Sequence, residues 1–238
     1  GPTVTDFGLR LLNGTMEPDK NSLISPLSVI TALSMTANGA DGETLRQMEA
    51  VLGGDMDLLN PMLKALRDGL GNEAVMANSI WIKDTPTLAV KDSFLQANAD
   101  WYGAGVFREP FDDTTLNKIN RWVEENTDGQ IKDILDRIDP DAMMYLVNGL
   151  SFDAKWESPY EGHQVFDRSF TTENGEKRTI SMMYSEEGQY LETEKASGFL
   201  KYYEGRRYAF AALLPEEGTT VAELVSSLDG TILREVLT

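Results

Sequence analysis

The sequence of 238 residues contains no cysteine and a single histidine, His163. Without cysteine the chain forms no disulfide, carries no thiolate nucleophile and offers no thiolate metal ligand. A serine–histidine–aspartate triad would depend on His163, which lies in a polar stretch, and no serine has a nucleophile-elbow pattern around it. These absences argue against a hydrolase, and we expect a protein that is not an enzyme.

Basic residues are also scarce, because 21 lysines and arginines face 39 aspartates and glutamates, giving a formal charge of -18. Nucleic acids attract clusters of lysine and arginine, so we expect no nucleic-acid partner. No run approaches the roughly 18 apolar residues of a membrane span, and we expect no membrane partner. Asp136, Asp139 and Asp141 cluster without the spacing of a calcium-binding loop, so we expect no metal and no cofactor.

Helical periodicity dominates the first half of the chain. Ser25 is suited to cap a helix that begins at Pro26, where the missing N–H costs nothing, and Gly39 is suited to end it. Residues 7–12 are predicted to form the end of an apolar helix, which is interrupted at Asn13-Gly14 and Pro18. Further helices are predicted over residues 43–52, 58–70 and 91–102, and from Thr114 or Thr115 to about 126.

The apolar period changes to two in the second half, which predicts strands. Strands are expected over residues 75–82, 106–107, 143–152, 165–171, 179–184, 191–192, 199–203 and 208–214, with late helices over 221–227 and from Thr231. Helices first and strands later favour an α+β fold. No repeat or long linker divides the chain, so we expect one domain over residues 1–238, with Gly1-Pro2 a remnant of tag removal.

One polar residue interrupts an apolar strand face. The alternating face of the strand at 143–152 carries Met144, Leu146, Asn148, Leu150 and Phe152. A buried amide without partners is costly, so Asn148 should find hydrogen bonds, and Ser25 and Ser28 could supply them. The alternative is that Asn148 lies at a wet sheet edge. Periodicity alone leaves both interpretations open.

Two separated blocks of the chain resemble the serpin family in residue identity and in spacing. The first contains Ser25-Pro26-Leu27-Ser28 and runs over residues 21–44, and the second runs from Leu146-Val147-Asn148 to Trp156. Shorter matches are Asn78-Ser79-Ile80-Trp81 and Leu213-Leu214-Pro215. The resemblance covers residues 9–237.

The resemblance implies a serpin-like α+β fold, with helices packed on three mostly antiparallel or mixed sheets. Ser25, Ser28 and Asn148 match the polar cluster called the shutter, under the middle of the main sheet, and Trp156 matches the tryptophan of the breach at its top. The family would continue past Thr238 with further strands and the reactive loop. The resemblance therefore implies a single incomplete serpin domain whose reactive loop is not present in this chain.

The implied function is protease inhibition by conformational trapping from a metastable native state, mainly of serine proteases and in some cases of cysteine proteases. The alternative is a non-inhibitory serpin that acts as a binding or chaperone-like module. Expected partners are the target protease and the C-terminal remainder of the same protein, for which a separate chain is one alternative. No heparin-like polyanion is expected, because residues 58–70 offer only Lys64 and Arg67. We expect an extracellular or cell-surface location, with the cytoplasm as the alternative.

Overall fold

The computed structural model describes residues 2–17, 20–172 and 174–237. The helices are α1 (Pro2–Thr15), α2 (Pro26–Ala37), α3 (Gly42–Leu52), α4 (Met56–Asp68), α5 (Asp92–Tyr102), α6 (Asp113–Asn126), α7 (Val221–Ser227) and α8 (Gly230–Leu237). The strands are β1 (Ala74–Lys83), β2 (Gly105–Glu109), β3 (Met144–Phe152), β4 (Val165–Thr171), β5 (Lys177–Met183), β6 (Gln189–Glu192), β7 (Ala196–Tyr202) and β8 (Ala209–Pro215). None of the helices in these ranges is long and apolar enough to cross a lipid bilayer.

The chain divides into two compact units. The sheet unit comprises Ser25–Asp153, and the hairpin unit comprises Gly1–Ile24 together with Ala154–Thr238. The mixture of helices and largely antiparallel strands confirms the α+β class. The expectation of a single domain over the whole chain stays a prediction.

The sheet unit is built on three strands in the order β2-β1-β3, with β1 parallel to β2 and antiparallel to β3. Successive side chains of a strand point to opposite faces. On one face Trp81 and Val147 pack against Ile119 and Val123 of α6 in a buried cluster. At Gly149 a Cβ atom would lie 2.9 Å from Cγ2 of Thr127, so glycine permits this close approach.

Helix α2 packs against β3 and against α3, α4 and α5. Ser25 caps it as predicted, because its Oγ accepts the backbone N–H of Ser28 at 3.4 Å, and Pro26 occupies the first turn. Asn38 and Asn60 exchange side-chain hydrogen bonds at 3.1 and 3.0 Å, and the Tyr102 hydroxyl donates to Asn60 Oδ1 at 2.6 Å. This buried network joins α2, α4 and α5.

The hairpin unit holds a β4–β5 hairpin and an antiparallel sheet in the order β6-β7-β8. Helix α1 packs against α7 and α8. Its contacts include a hydrogen bond from the Gly230 backbone N–H to Asp6 Oδ1 at 2.7 Å. The three observed sheets, with one parallel and otherwise antiparallel pairings, agree with the expected architecture.

Two local predictions are wrong. Helix α1 continues through Asn13-Gly14 to Thr15, because packing on α7 and α8 outweighs the cost of about 1 kcal/mol for a glycine inside a helix. Pro18 lies outside the described residues. Helix α6 is capped by Asp112 rather than by Thr114 or Thr115, and Thr115 is instead the third residue of the capping box.

Candidate functional site

Asn148 lies in the middle of β3, directly opposite Asn78 of β1. Its Nδ2 donates to Asn78 Oδ1 at 2.7 Å. Asn78 is 2% exposed, and its own Nδ2 donates to the backbone carbonyl of Tyr102 at 2.9 Å, at the end of α5. The two amides therefore form a cross-strand pair that connects β3 through β1 to α5.

The predicted partners of Asn148 are wrong in detail. Among the hydrogen bonds of the described residues none joins Asn148 to Ser25 or Ser28, and Ser25 Oγ is used as the cap of α2. Asn148 and Ser28 do line one cavity of about 290 Å³ between α2 and β3. The assignment of Ser25, Ser28 and Asn148 to a shutter stays a prediction.

Sequence reasoning missed Asn78, although a signal was present. Residues 76, 78, 80 and 82 form one face of β1, and Asn78 interrupts this otherwise apolar row as Asn148 interrupts the row of β3. Two such interruptions in neighbouring antiparallel strands are a signal of direct pairing. The register that brings them opposite each other is a tertiary property, which the local pattern does not determine.

The amide pair leaves one acceptor open. The Oδ1 atom of Asn148 is buried and has no hydrogen-bond partner within the described residues. Buried amide oxygens are normally satisfied, because leaving one unpaired costs free energy. Asn148 can therefore accept a hydrogen bond from a further donor, and the neighbouring cavity provides space for one.

Strand β3 also has an open edge. In the described ranges β1 is flanked on both sides, whereas β3 pairs with β1 alone. The face that packs towards α2 includes half-buried Met144, Leu146 and Leu150. An unpaired edge presents a row of backbone N–H and C=O groups to which another strand can pair.

Trp156, four residues beyond the end of β3, lies in the hairpin unit. Its ring stacks on Tyr203 with centroids 4.3 Å apart and planes 9° apart, and Phe210 meets it edge-on at 6.0 Å. A single antiparallel bridge also joins the backbones of Trp156 and Tyr203. The assignment of Trp156 to a breach stays a prediction.

A buried ion pair beside Trp156 was missed from the sequence. Lys201 of β7 is 4% exposed, and its Nζ lies 2.5 Å from Glu187 Oε1. Burial alone would raise the pKa of Glu187, but the hydrogen bonds from Lys201 and Ser185 lower this pKa below its ordinary value. The only local signal was a lysine placed in the aromatic-rich stretch of residues 199–203.

Within the described ranges no group of three or more histidine or acidic side chains is arranged to hold a metal ion. His163 is exposed, and its Nδ1 lies 3.3 Å from Oε2 of Glu161.

The chain matches the family profile described as Serpin (serine protease inhibitor) over residues 2–238. The chain belongs to the serpin family. Serpins are generally protease inhibitors that bind target proteases, rather than enzymes. The family resemblance that the sequence blocks indicated is thereby confirmed.

Relatives occur in archaea and in eukaryotes. An uncharacterised serpin-like protein of Thermococcus kodakarensis is 28% identical over 226 residues, covering 90% of this chain and 53% of the relative. Human neuroserpin is 30% identical over 192 residues, covering 76% of this chain and 46% of the relative.

Two solved structures of a thermophilic serpin, tengpin, are 42% identical to the chain. The native state matches with a TM-score of 0.92 and the latent state with 0.91, covering 99% and 98% of this chain. These matches cover 62% and 65% of the tengpin chains, and the chain spans about half the length of the curated relatives. Strands and a reactive loop beyond Thr238 stay a prediction.

Proposed function

We propose that the intact protein inhibits a protease by conformational trapping, with serine proteases as the first target class and cysteine proteases as the second. The observation that carries this proposal is the match to the serpin family over residues 2–238, in a chain whose strand β3 pairs with β1 alone within the described residues. A strand that can gain a new neighbour is the structural element that trapping by loop insertion needs. Loop insertion in serpins is an established case of strand addition.

The proposed mechanism runs through the β3 edge. The target protease cleaves an exposed loop and forms an acyl-enzyme, and the freed loop end enters beside β3 and carries the protease with it. Insertion adds a ladder of backbone hydrogen bonds and buries alternate side chains beside Met144, Leu146 and Leu150. Asn148 Oδ1, which has no partner among the described residues, would then accept a donor from the added strand or its surroundings.

The family positions give each predicted site residue a role in this mechanism. Ser25 and Ser28 belong to the beginning of α2, which packs on β3, and Asn148 connects β3 to β1. We assign these three residues to the shutter that parts during insertion. We assign Trp156 to the breach, where insertion would begin.

The remaining partners follow from the same proposal. The strand that completes the β3 edge before insertion would come from the C-terminal remainder of the same protein. A heparin-like polyanion is not proposed, because Lys64 and Arg67 of α4 both lie within ion-pair distance of Asp68.

An extracellular or cell-surface location is proposed because the target is a protease, with the cytoplasm as the alternative.

Incubation of the intact protein with a panel of serine and cysteine proteases tests the function. We expect a covalent adduct at the summed mass on a denaturing gel, together with lost protease activity. The matched control is the same protease with its nucleophile replaced by alanine, which should form no adduct. Cleavage by every protease of the panel, without adduct or inhibition, would instead favour a non-inhibitory serpin that acts as a binding module.

A further inference from the structure

Lys201 is the one charged residue among the buried polar residues of the described ranges. Its neighbours on β7 alternate between the two faces of the sheet, and Lys201 points to the face that carries Phe199 and Tyr203. A lysine is rarely buried without a partner, because an ammonium group loses its hydration on burial. The surroundings of Lys201 must therefore supply compensation.

Glu187 supplies the charge. Its Oε1 accepts hydrogen bonds from Lys201 Nζ at 2.5 Å and from Ser185 Oγ at 2.6 Å. The Glu187 side chain is 16% exposed, so the pair is largely removed from water. Charge-assisted hydrogen bonds of this length are among the stronger ones in proteins.

Aromatic rings supply the rest. Lys201 Nζ lies 4.6 Å from the ring centre of Tyr160 and 5.7 Å from that of Trp156. The Tyr160 hydroxyl lies 3.3 Å from Ser185 Oγ and can donate to it, because the one Ser185 proton goes to Glu187. The ring centres of Tyr160 and Trp156 are 6.5 Å apart in an edge-on arrangement. One ammonium group therefore contacts the indole, the phenol ring and the carboxylate together.

The ion pair also ties down a connecting segment. Residues 184–188 join β5 to β6, and Ser185 and Glu187 are their points of attachment to Tyr160 and Lys201. We name this segment the strap. Since the strap and the Trp156 ring are both held by Lys201, displacing the indole would disturb the contacts of the ammonium group.

We propose that Lys201 is a positioning residue for Trp156, and that the Lys201–Glu187 pair and the strap hold the indole in place until it has to move. The functional consequence rests on the proposed inhibition: release of the strap would ease the first step of strand insertion at the breach. Lys201 itself contacts neither the protease nor the reacting bond in this proposal.

A spectroscopic experiment tests the positioning role without any protease. The intact protein is labelled with 5-fluorotryptophan, and Trp156→Phe identifies the Trp156 fluorine resonance. Glu187→Gln, which keeps the shape and an acceptor oxygen, should shift or broaden that resonance. The resonances of Trp81, Trp101 and Trp122 should stay in place. The control Arg178→Met removes an exposed ion pair with Glu176 in the same unit and should leave the Trp156 resonance unchanged.

A double variant separates positioning from general stability. Replacing both partners, in Lys201→Met/Glu187→Met, should restore stability because no charge is left buried alone. The Trp156 resonance should nevertheless remain displaced, since the cation that holds the ring is gone. An unchanged Trp156 resonance in both Glu187→Gln and the double variant would overturn the proposal.

The consequence for inhibition is measured separately. The double variant should lose inhibitory activity on mild heating about tenfold faster than the wild type, which corresponds to a barrier lowered by about 1.4 kcal/mol. Equal rates, together with a displaced resonance, would show that Lys201 positions Trp156 but does not control insertion. A wild-type protein that inhibits no protease would refute the proposed function, and the fluorine resonances would still decide the role of Lys201.

Discussion

The two units each bury polar side chains, but they satisfy them differently. In the sheet unit Asn78 and Asn148 form a neutral pair that leaves Asn148 Oδ1 without a partner in the described ranges. In the hairpin unit Lys201 and Glu187 form a charged pair whose hydrogen bonds and ring contacts enclose the ammonium group. A neutral pair tolerates an open acceptor, whereas a buried charge does not.

This difference indicates different roles for the two sites. The amide pair can gain a hydrogen bond when β3 gains a neighbour, so it is suited to a sheet that changes. The ion pair can only lose interactions when its surroundings move, so it is suited to holding one arrangement. Mutations that remove one partner of each pair should separate the two roles.

The largest expected effect is at the charged pair. Glu187→Ala should lower the free energy of unfolding of the intact protein by about 3–5 kcal/mol, because it leaves the Lys201 ammonium buried and unpaired. Urea denaturation followed by circular dichroism measures this change. A loss below about 1 kcal/mol would mean that water or another group compensates Lys201, and the contrast between the units would disappear.

A smaller effect is expected at the amide pair. Asn148→Leu should lower the free energy of unfolding by about 1–3 kcal/mol, because Asn78 Oδ1 loses its hydrogen-bond donor. Removal of the unpaired Asn148 Oδ1 offsets part of this loss. The control Asn78→Leu/Asn148→Leu removes both amides and should cost less than Asn148→Leu alone. A double variant that is less stable than Asn148→Leu would show that the hydrogen bond from Asn78 to the Tyr102 carbonyl contributes more than the pairing of the two amides.

Local sequence signals predicted much of this fold. The Ser25 cap, the Pro26 start and the strand around Asn148 were all predicted from residues close together in the chain. The helix over Val221–Ser227 was predicted with its observed bounds. These features depend on hydrogen bonds between residues a few positions apart or on a simple alternation, which a single sequence displays.

The sites were predicted less completely, because their partners are distant in sequence. Asn148 was expected to bind serines more than 100 positions away, but strand register places it opposite Asn78. Lys201 depends on Glu187 and on rings at positions 156 and 160, and only the packed sheet brings them together. Burial of a charge cannot be predicted from a strand pattern alone, since the pattern gives the face and not what covers it.

The buried network that joins α2, α4 and α5 gives a pH-dependent prediction. Burial raises the pKa of Tyr102 from its ordinary value of 10.0 to about 12. The neutral phenol therefore contributes stability that is fully present below pH 10 and is lost as the pH rises towards 12. Unfolding free energies measured between pH 9 and 12 should fall in the wild type and fall less in Tyr102→Phe. If the free energy of unfolding fell equally with pH in both proteins, the raised pKa of Tyr102 would not be the cause of the loss.

The smallest effect is expected at the surface of the hairpin unit. Arg178 Nη2 lies 2.7 Å from Glu176 Oε2, but the two side chains are 61% and 53% exposed. Arg178→Met should change the free energy of unfolding by no more than about 0.5 kcal/mol. A loss comparable to that of Glu187→Ala would show that burial does not explain the importance of the Lys201–Glu187 pair.

The proposed addition of a strand beside β3 is tested most directly by hydrogen exchange on the intact protein. Amide exchange over Met144–Phe152 is followed by mass spectrometry before and after reaction with a protease that the protein inhibits. We predict that these amides exchange more slowly in the protease complex, because the inserted strand replaces a C-terminal neighbour that can part from β3 and then stays paired with it. Inhibition with unchanged exchange over this strand would contradict insertion at the β3 edge.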